Sequence, residues 1–145
     1  MKHFEELVLG VMVCVDVRRT DHCKLLGDDW APDCLVQYDP ESEIVTVDNR
    51  ASDDYAKWAG LHEAICCGKY SDLVPAGDDP LGRCARIDEL VMAIMPATYR
   101  SEFSRKRYEM FGFLIERGFS PEFRESFERS LAFHRDYLKK EGGDA

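Results

Sequence analysis

Positive charge is scarce in this 145-residue sequence, which has 19 Lys and Arg residues against 28 Asp and Glu residues and a formal net charge of -9. The imbalance is concentrated between Asp21 and Pro80, where fourteen acidic residues stand against four basic ones. Nucleic acids and anionic membrane surfaces repel a protein surface of that charge. We therefore expect neither as a partner, and we interpret the short basic run 105–107 as one solvated turn of a helix.

Long apolar runs are also missing. The longest begins near Leu7 and covers about ten residues, which is too short to span a bilayer. Two glutamates precede it and no small-residue cleavage site follows, so it is not expected to be a signal peptide. These absences predict a cytoplasmic protein without a membrane partner. In that compartment the six cysteines would be thiols or metal ligands, not a disulfide framework.

Three signatures of common enzyme classes are absent as well. The sequence contains no G-x-x-x-x-G-K-S/T loop, no G-x-G-x-x-G turn and no G-x-S-x-G elbow. These patterns cradle phosphates, bind dinucleotides and expose a nucleophilic serine, respectively. Nucleotide binding and serine hydrolase chemistry therefore have no support in the sequence.

The first half of the sequence combines helix and strand signals. Residues 4–18 place apolar side chains at helical spacing and predict a helix, although V-M-V-C-V-D-V would also suit a strand. Residues 34–48 contain two β-rich runs around D-P-E-S-E and predict a β-hairpin. Ser52 is a suitable N-cap for a helix that should end at Gly68.

The second half is predicted to be helical. A mobile loop over 69–82 precedes a helix from about Arg83 to Pro96. A further amphipathic helix should end at Gly118, and Ser120-Pro121 should open the last helix. The expected fold is therefore α+β, with a small sheet centred on the hairpin, covered by the N-terminal helix and the helix after Ser52. We expect a single domain over residues 1–145, including a helical extension over residues 100–140.

The helix predicted after Ser52 contains L-H-E-A-I-C-C-G at residues 61–68. His62 and Cys66 are four residues apart, which places their side chains one turn apart on the same helix face. Imidazole nitrogen and thiolate sulfur both suit zinc. Glu63 occupies the position of the general base in H-E-x-x-H metallopeptidases. The spacing by itself fits either a metal site or a core helix with a buried thiol and a hydrogen-bonded histidine.

The residues around this motif resemble the ImmA/IrrE family of small zinc metallopeptidases. The similarity includes a hairpin with Y-D-P at its turn, W-A-G-L-H-E at 58–63 and A-I-M-P at 93–96. It covers about residues 37–96, and H-E-x-x-C would be a degenerate form of the family's H-E-x-x-H. The resemblance implies zinc as the cofactor, and a protein or peptide substrate, often a transcriptional repressor.

Residue by residue, the resemblance implies that His62 is the first zinc ligand and that Glu63 is the general base. The family's second histidine falls on Cys66, which would be the second ligand. A thiolate hands more charge to the metal than an imidazole does and so weakens its ability to acidify water. We therefore expect low peptidase efficiency if the chain is an enzyme.

The third ligand departs from the family. Its glutamate falls on Arg83, and an arginine cannot ligate zinc. If the helix is shifted relative to the family, Glu89 would supply the carboxylate, with Asp88 or a Cys84 thiolate as alternatives. We take Glu89 as the predicted third ligand.

Other cysteine and histidine candidates favour structural roles. The vicinal pair Cys66-Cys67 is interpreted as two inert thiols, because adjacent helical side chains point about 100° apart. A second metal site from His22-Cys23 and Cys34 lacks the C-x-x-C spacing. His134 lies on the apolar face of the last helix and is predicted to bond a backbone carbonyl at the edge of the core.

Two functions from different classes follow. The first is a metal-dependent peptidase of the ImmA/IrrE type. The alternative is a catalytically inactive protein-binding or regulatory module on the same scaffold. The aromatic residues of the two C-terminal helices are expected to pack those helices together, and some of them could form a homodimer interface.

Overall fold

The computed structural model describes residues 1–21, 26–27 and 30–142. The chain forms two compact units, residues 1–75 and residues 76–145. The first unit contains a four-stranded mixed sheet and one long helix, and the second unit is helical. The predicted α+β class is confirmed, while the single-domain organisation stays a prediction.

The N-terminal segment forms a β-hairpin, so the helix predicted over residues 4–18 is wrong. Strands β1 (Lys2–Val8) and β2 (Val11–Thr20) pair antiparallel on either side of Leu9 and Gly10, which both have positive φ. Positive φ at both central residues is typical of the tight turns that join antiparallel strands. Alternate side chains of β2 are buried, namely Val13, Val15 and Val17. These buried residues are β-branched and recur every second position, so the segment forms a strand although its apolar residues also fit helical spacing.

Two hairpins make up the sheet, whose strand order is β1-β2-β4-β3. Strands β3 (Val36–Asp39) and β4 (Ile44–Asp48) pair antiparallel, which confirms the hairpin predicted over 34–48. The Asp39 carboxylate stabilises the turn by accepting a hydrogen bond from the Ser42 hydroxyl at 2.8 Å. Strands β2 and β4 pair in parallel at the centre and so join the two hairpins.

Helix α1 (Asp53–Cys67) packs against the sheet and has the bounds that the sequence predicts. The Ser52 hydroxyl accepts a hydrogen bond from the backbone amide three residues later, at 3.1 Å, and caps the first turn. The helix ends at Gly68. Gly60 allows a close approach to the sheet, because a β-carbon there would lie 3.4 Å from the side chains of two β2 valines. The middle turns of α1 therefore pack closely against the sheet.

The second unit is built from helices α2 (Arg83–Ile94), α3 (Arg100–Arg117) and α4 (Arg124–Gly142). The two predicted helices before Gly118 are confirmed, and Gly118 ends α3 in the left-handed conformation with φ of 69°. The last helix begins later than predicted. A 3-10 turn over Pro121–Phe123 precedes it, and the side chain before that turn makes no capping hydrogen bond.

Aromatic rings pack α3 against α4, as the sequence predicts. The centroids of Phe111 and Phe127 lie 5.8 Å apart. No helix in the described part of the chain combines the length and the apolar composition that a membrane crossing requires. The homodimer through these helices stays a prediction.

Candidate functional site

The motif residues of α1 lie side by side. His62 is 1% exposed and Cys66 is half-buried one turn later. Their side chains are hydrogen-bonded to each other, as expected for residues four apart on one helix face. The predicted juxtaposition of an imidazole and a thiol is therefore present.

The Cys66 sulfur carries its proton in the absence of an ion. A hydrogen bond to Cys67 and burial raise the pKa of the Cys66 thiol, and the neighbouring His62 acts in the opposite direction. A metal ion at this position would have to displace that proton, so its affinity would depend on pH. No disulfide joins Cys66 and Cys67 in the structure, and their interpretation as two inert thiols stays a prediction.

Glu63 has an unexpected neighbour in Tyr38 of β3. Burial raises the pKa of the half-buried Tyr38 phenol, and so do the nearby groups of Glu43, Cys67 and Glu63. The phenol lies at the C-terminal end of α1, because a β-carbon on Gly68 would be 2.5 Å from its oxygen. Glu63 itself is half-exposed and can reach solvent. No sequence pattern links Tyr38 to the motif, since its strand is far from α1 in the chain.

The ligand types of the motif suit zinc, but the motif provides too few ligands within the first unit. A histidine nitrogen and a cysteine sulfur are both suitable ligands, whereas a catalytic zinc site uses three protein ligands. In the described residues of the first unit, the group of three metal-ligating side chains that lie together is His3, Glu5 and Cys14. His62 and Cys66 would therefore supply two of the three ligands of such a site.

Glu89, the predicted third ligand, belongs to the second unit. It is exposed on α2 and lines a cavity of about 450 Å³ together with Arg100, Asp136 and Tyr137. The half-buried Cys84 and Arg83 lie in the first turn of the same helix. The assignment of Glu89 to the metal stays a prediction.

Asp88 has a different role, in a buried polar network of the second unit. Its carboxylate accepts hydrogen bonds from Arg107 Nε at 3.1 Å and from His134 Nε2 at 2.7 Å. The other ring nitrogen of His134 lies 2.8 Å from the Ser104 hydroxyl. The structure thus corrects the prediction that His134 bonds a backbone carbonyl. With its carboxylate held in this way, Asp88 is a poorer candidate for a metal ligand than Glu89.

The hydrogen bonds of this network run from Ser104 through His134 to Asp88, as in a hydrolytic triad. The burial of these side chains nevertheless assigns them a structural role. All three side chains are 0% exposed, as is that of Arg107. A neutral His134 satisfies the geometry if Nε2–H donates to Asp88 and the Ser104 hydroxyl donates to Nδ1. The charges of Asp88 and Arg107 then cancel. A substrate has no access to the serine, so the network ties α2, α3 and α4 together.

The structure describes only part of the second metal site that was considered from the sequence. Cys34 is buried, and its carbonyl accepts a hydrogen bond from the Tyr55 hydroxyl of α1 at 3.0 Å. His22 and Cys23 lie outside the described residues.

Comparison of the chain with family models, with curated proteins and with solved structures finds no match.

Proposed function

We propose that the chain is a zincin-like protein of the ImmA/IrrE type, which binds one zinc ion through His62 and Cys66 and hydrolyses peptide bonds with Glu63 as the base. The observation that supports this best is the hydrogen-bonded contact between the two ligand side chains on successive turns of α1. Glu63 follows the first of them directly and is half-exposed.

The fold favours this use of α1 because it fixes the helix in place. The helix is capped at Ser52, and Gly60 allows it to lie close to the sheet. Tyr55 anchors it further through its hydrogen bond to the Cys34 carbonyl. Groups on a rigid element lose little entropy when they bind a ligand or a transition state, which is what a reactive site requires.

Each side chain would have a separate task in hydrolysis. Zinc, when bound, supplies Lewis-acid polarisation of water and of the peptide carbonyl. Glu63 would accept a proton from the attacking water and pass it to the leaving amine. Tyr38 keeps its phenolic proton at neutral pH, and from the C-terminal end of α1 it would be available to donate a hydrogen bond to the developing oxyanion. The substrate would be a peptide or protein.

A second function is supported by the number of ligands in the first unit. Two neighbouring donors are fewer than the three that a catalytic zinc site takes from the protein. A chain that has kept the scaffold and lost the metal would act as a protein-binding or regulatory module.

Zinc content of protein purified without chelator separates the two functions. We expect Cys66→Ala to lose one equivalent of zinc relative to the wild-type chain, measured by elemental mass spectrometry. The matched control is Cys67→Ala, which removes the neighbouring exposed thiol from the same helix and should keep that equivalent. Equal zinc contents in these two variants would contradict the metal site and favour the binding module.

Catalysis needs its own test. Glu63→Gln keeps the size of the side chain and removes the base, so it should keep the zinc and lose cleavage of an unstructured peptide library. Retention of cleavage in Glu63→Gln would contradict the role of Glu63. Zinc binding without any cleavage by the wild-type chain would leave a metal-binding module in place of a peptidase.

A further inference from the structure

We propose a second metal site, for a divalent transition ion of the zinc class, on the outer face of the β1-β2 hairpin. Its ligands are His3, Glu5 and Cys14, and Asp16 orients the histidine. These residues meet because the antiparallel register pairs His3 with Asp16 and Glu5 with Cys14. Residues two apart in a strand share a face, and directly paired residues lie on the same face, so the four side chains form a square.

Two of the three distances between the donor atoms are close to those of a tetrahedral zinc site. Glu5 Oε2 lies 3.2 Å from His3 Nε2 and 3.5 Å from Cys14 Sγ. Zinc bonds of standard length place such donors about 3.3–3.6 Å apart around the ion. The three donor atoms all lie within 4.8 Å of one another. An ion could therefore enter with small side-chain rotations and no change in the strands.

His3 lies between two carboxylates, and this arrangement favours a positive charge on the ring or beside it. Its Nδ1 is 2.8 Å from Asp16 and its Nε2 is 3.2 Å from Glu5. A neutral imidazole carries one N–H, so it can donate to only one of them and would turn a lone pair toward the other. Either a second proton on the ring or a cation between Nε2 and Glu5 resolves this repulsion. Asp16 at Nδ1 has the position of the carboxylate that orients histidine ligands in zinc proteins.

The site leaves a coordination position open. His3 and Cys14 also line a cavity of about 220 Å³, with Tyr38 and Tyr70 among the other lining residues. The Tyr70 hydroxyl accepts a hydrogen bond from the Cys14 amide at 3.1 Å and so fixes the backbone of one ligand. A water molecule or a small anionic ligand could take the fourth position from this cavity.

Cobalt(II) titration of the full chain tests the site, because a thiolate bound to cobalt gives a ligand-to-metal charge-transfer absorption. The protein carries Cys66→Ala, which removes the thiol of the α1 motif. We expect one equivalent of cobalt to give the thiolate band, and Cys14→Ser in that background to abolish it. Asp16→Asn should weaken binding about 10- to 100-fold. Glu6→Gln is the matched control, because it removes a carboxylate of the same strand that bonds Lys57 at 2.7 Å, and it should leave the titration unchanged.

Absence of the thiolate band from the Cys66→Ala protein would overturn this proposal, and so would a band that Cys14→Ser leaves unchanged. An unchanged affinity in Asp16→Asn would overturn the orienting role of Asp16. Metal binding at the α1 motif is measured separately, as the cobalt bound by a Cys14→Ser protein that keeps Cys66. Circular dichroism of each variant checks that it folds like the wild-type chain.

Discussion

Replacing Asp88 by Asn tests whether the buried network of the second unit depends on charge. Asp88 and Arg107 are both 0% exposed, and Arg107 Nε lies 3.1 Å from Asp88 Oδ2. Asparagine keeps the shape of the side chain but removes the counter-charge that Asp88 supplies to the buried guanidinium. Removing one partner of a buried ion pair costs about 3–5 kcal/mol. In a chain of this length, that loss corresponds to a fall of roughly 10–20 °C in Tm.

The assay is urea unfolding followed by far-ultraviolet circular dichroism, whose helical signal includes the three helices of the second unit. Glu128→Gln serves as the matched control, because its exposed ion pair with Arg124 on α4, at 3.7 Å, is worth about 0.3–0.5 kcal/mol. Replacing both partners by apolar residues, Asp88→Leu with Arg107→Met, should recover most of the lost stability, since no buried charge remains. A loss below about 1 kcal/mol in Asp88→Asn, the size of one ordinary hydrogen bond, would refute the reasoning.

Three further predictions concern the first unit. A hydrogen bond to Cys67 and burial raise the pKa of the Cys66 thiol, so iodoacetamide should alkylate the exposed Cys67 well before Cys66. Equal labelling rates in mass spectra would contradict this. Asp16 and Glu5 raise the pKa of His3, so the stabilisation from its protonated ring is complete below the unfolded-state pKa and is lost as the pH rises through the higher folded-state pKa. An NMR titration of His3 should show this elevated pKa, and a value that Asp16→Asn does not lower would count against it. Gly68→Ala should destabilise the chain by about 1–3 kcal/mol in thermal unfolding, because the new β-carbon would lie 2.5 Å from the Tyr38 oxygen. Gly112→Ala on α3, where the new β-carbon would meet the Leu131 side chain at an ordinary contact distance of 3.9 Å, should instead be neutral or stabilising by up to about 1 kcal/mol. Similar losses in both variants would exclude the steric explanation.

The elements that the sequence predicts well are those with strong local signals at their ends. Ser52 and Gly68 mark the two ends of α1, and Gly118 marks the end of α3. The N-terminal hairpin was missed because its apolar residues fit both periods and its Leu9-Gly10 turn lacks the Asn-Gly or Asp-Gly pair that usually identifies such turns. The pairing of β2 with its two neighbours, β1 and the distant β4, decides between helix and strand there.

Some contacts of the candidate site can also be predicted from local sequence, whereas others depend on the fold. The contact between His62 and Cys66 follows from helix geometry and could be predicted from their spacing. Tyr38 could not be placed beside Glu63, because the strand that carries it is brought to α1 only by the fold. The cross-strand group around His3 was missed together with the hairpin, since a helix would have turned Cys14 and Asp16 to different faces.

The parallel pairing of β2 with β4 has a consequence for the order in which the first unit forms. Each of the two hairpins can close by itself, because its strands are neighbours in the chain. The pairing of β2 with β4 brings Asp16 opposite Ile44. Forming it closes a much longer loop of backbone, and this costs more chain entropy than closing either hairpin. We therefore expect docking of the hairpins to limit the refolding rate, so that shortening the connection between β2 and β3 would speed folding more than strengthening either tight turn.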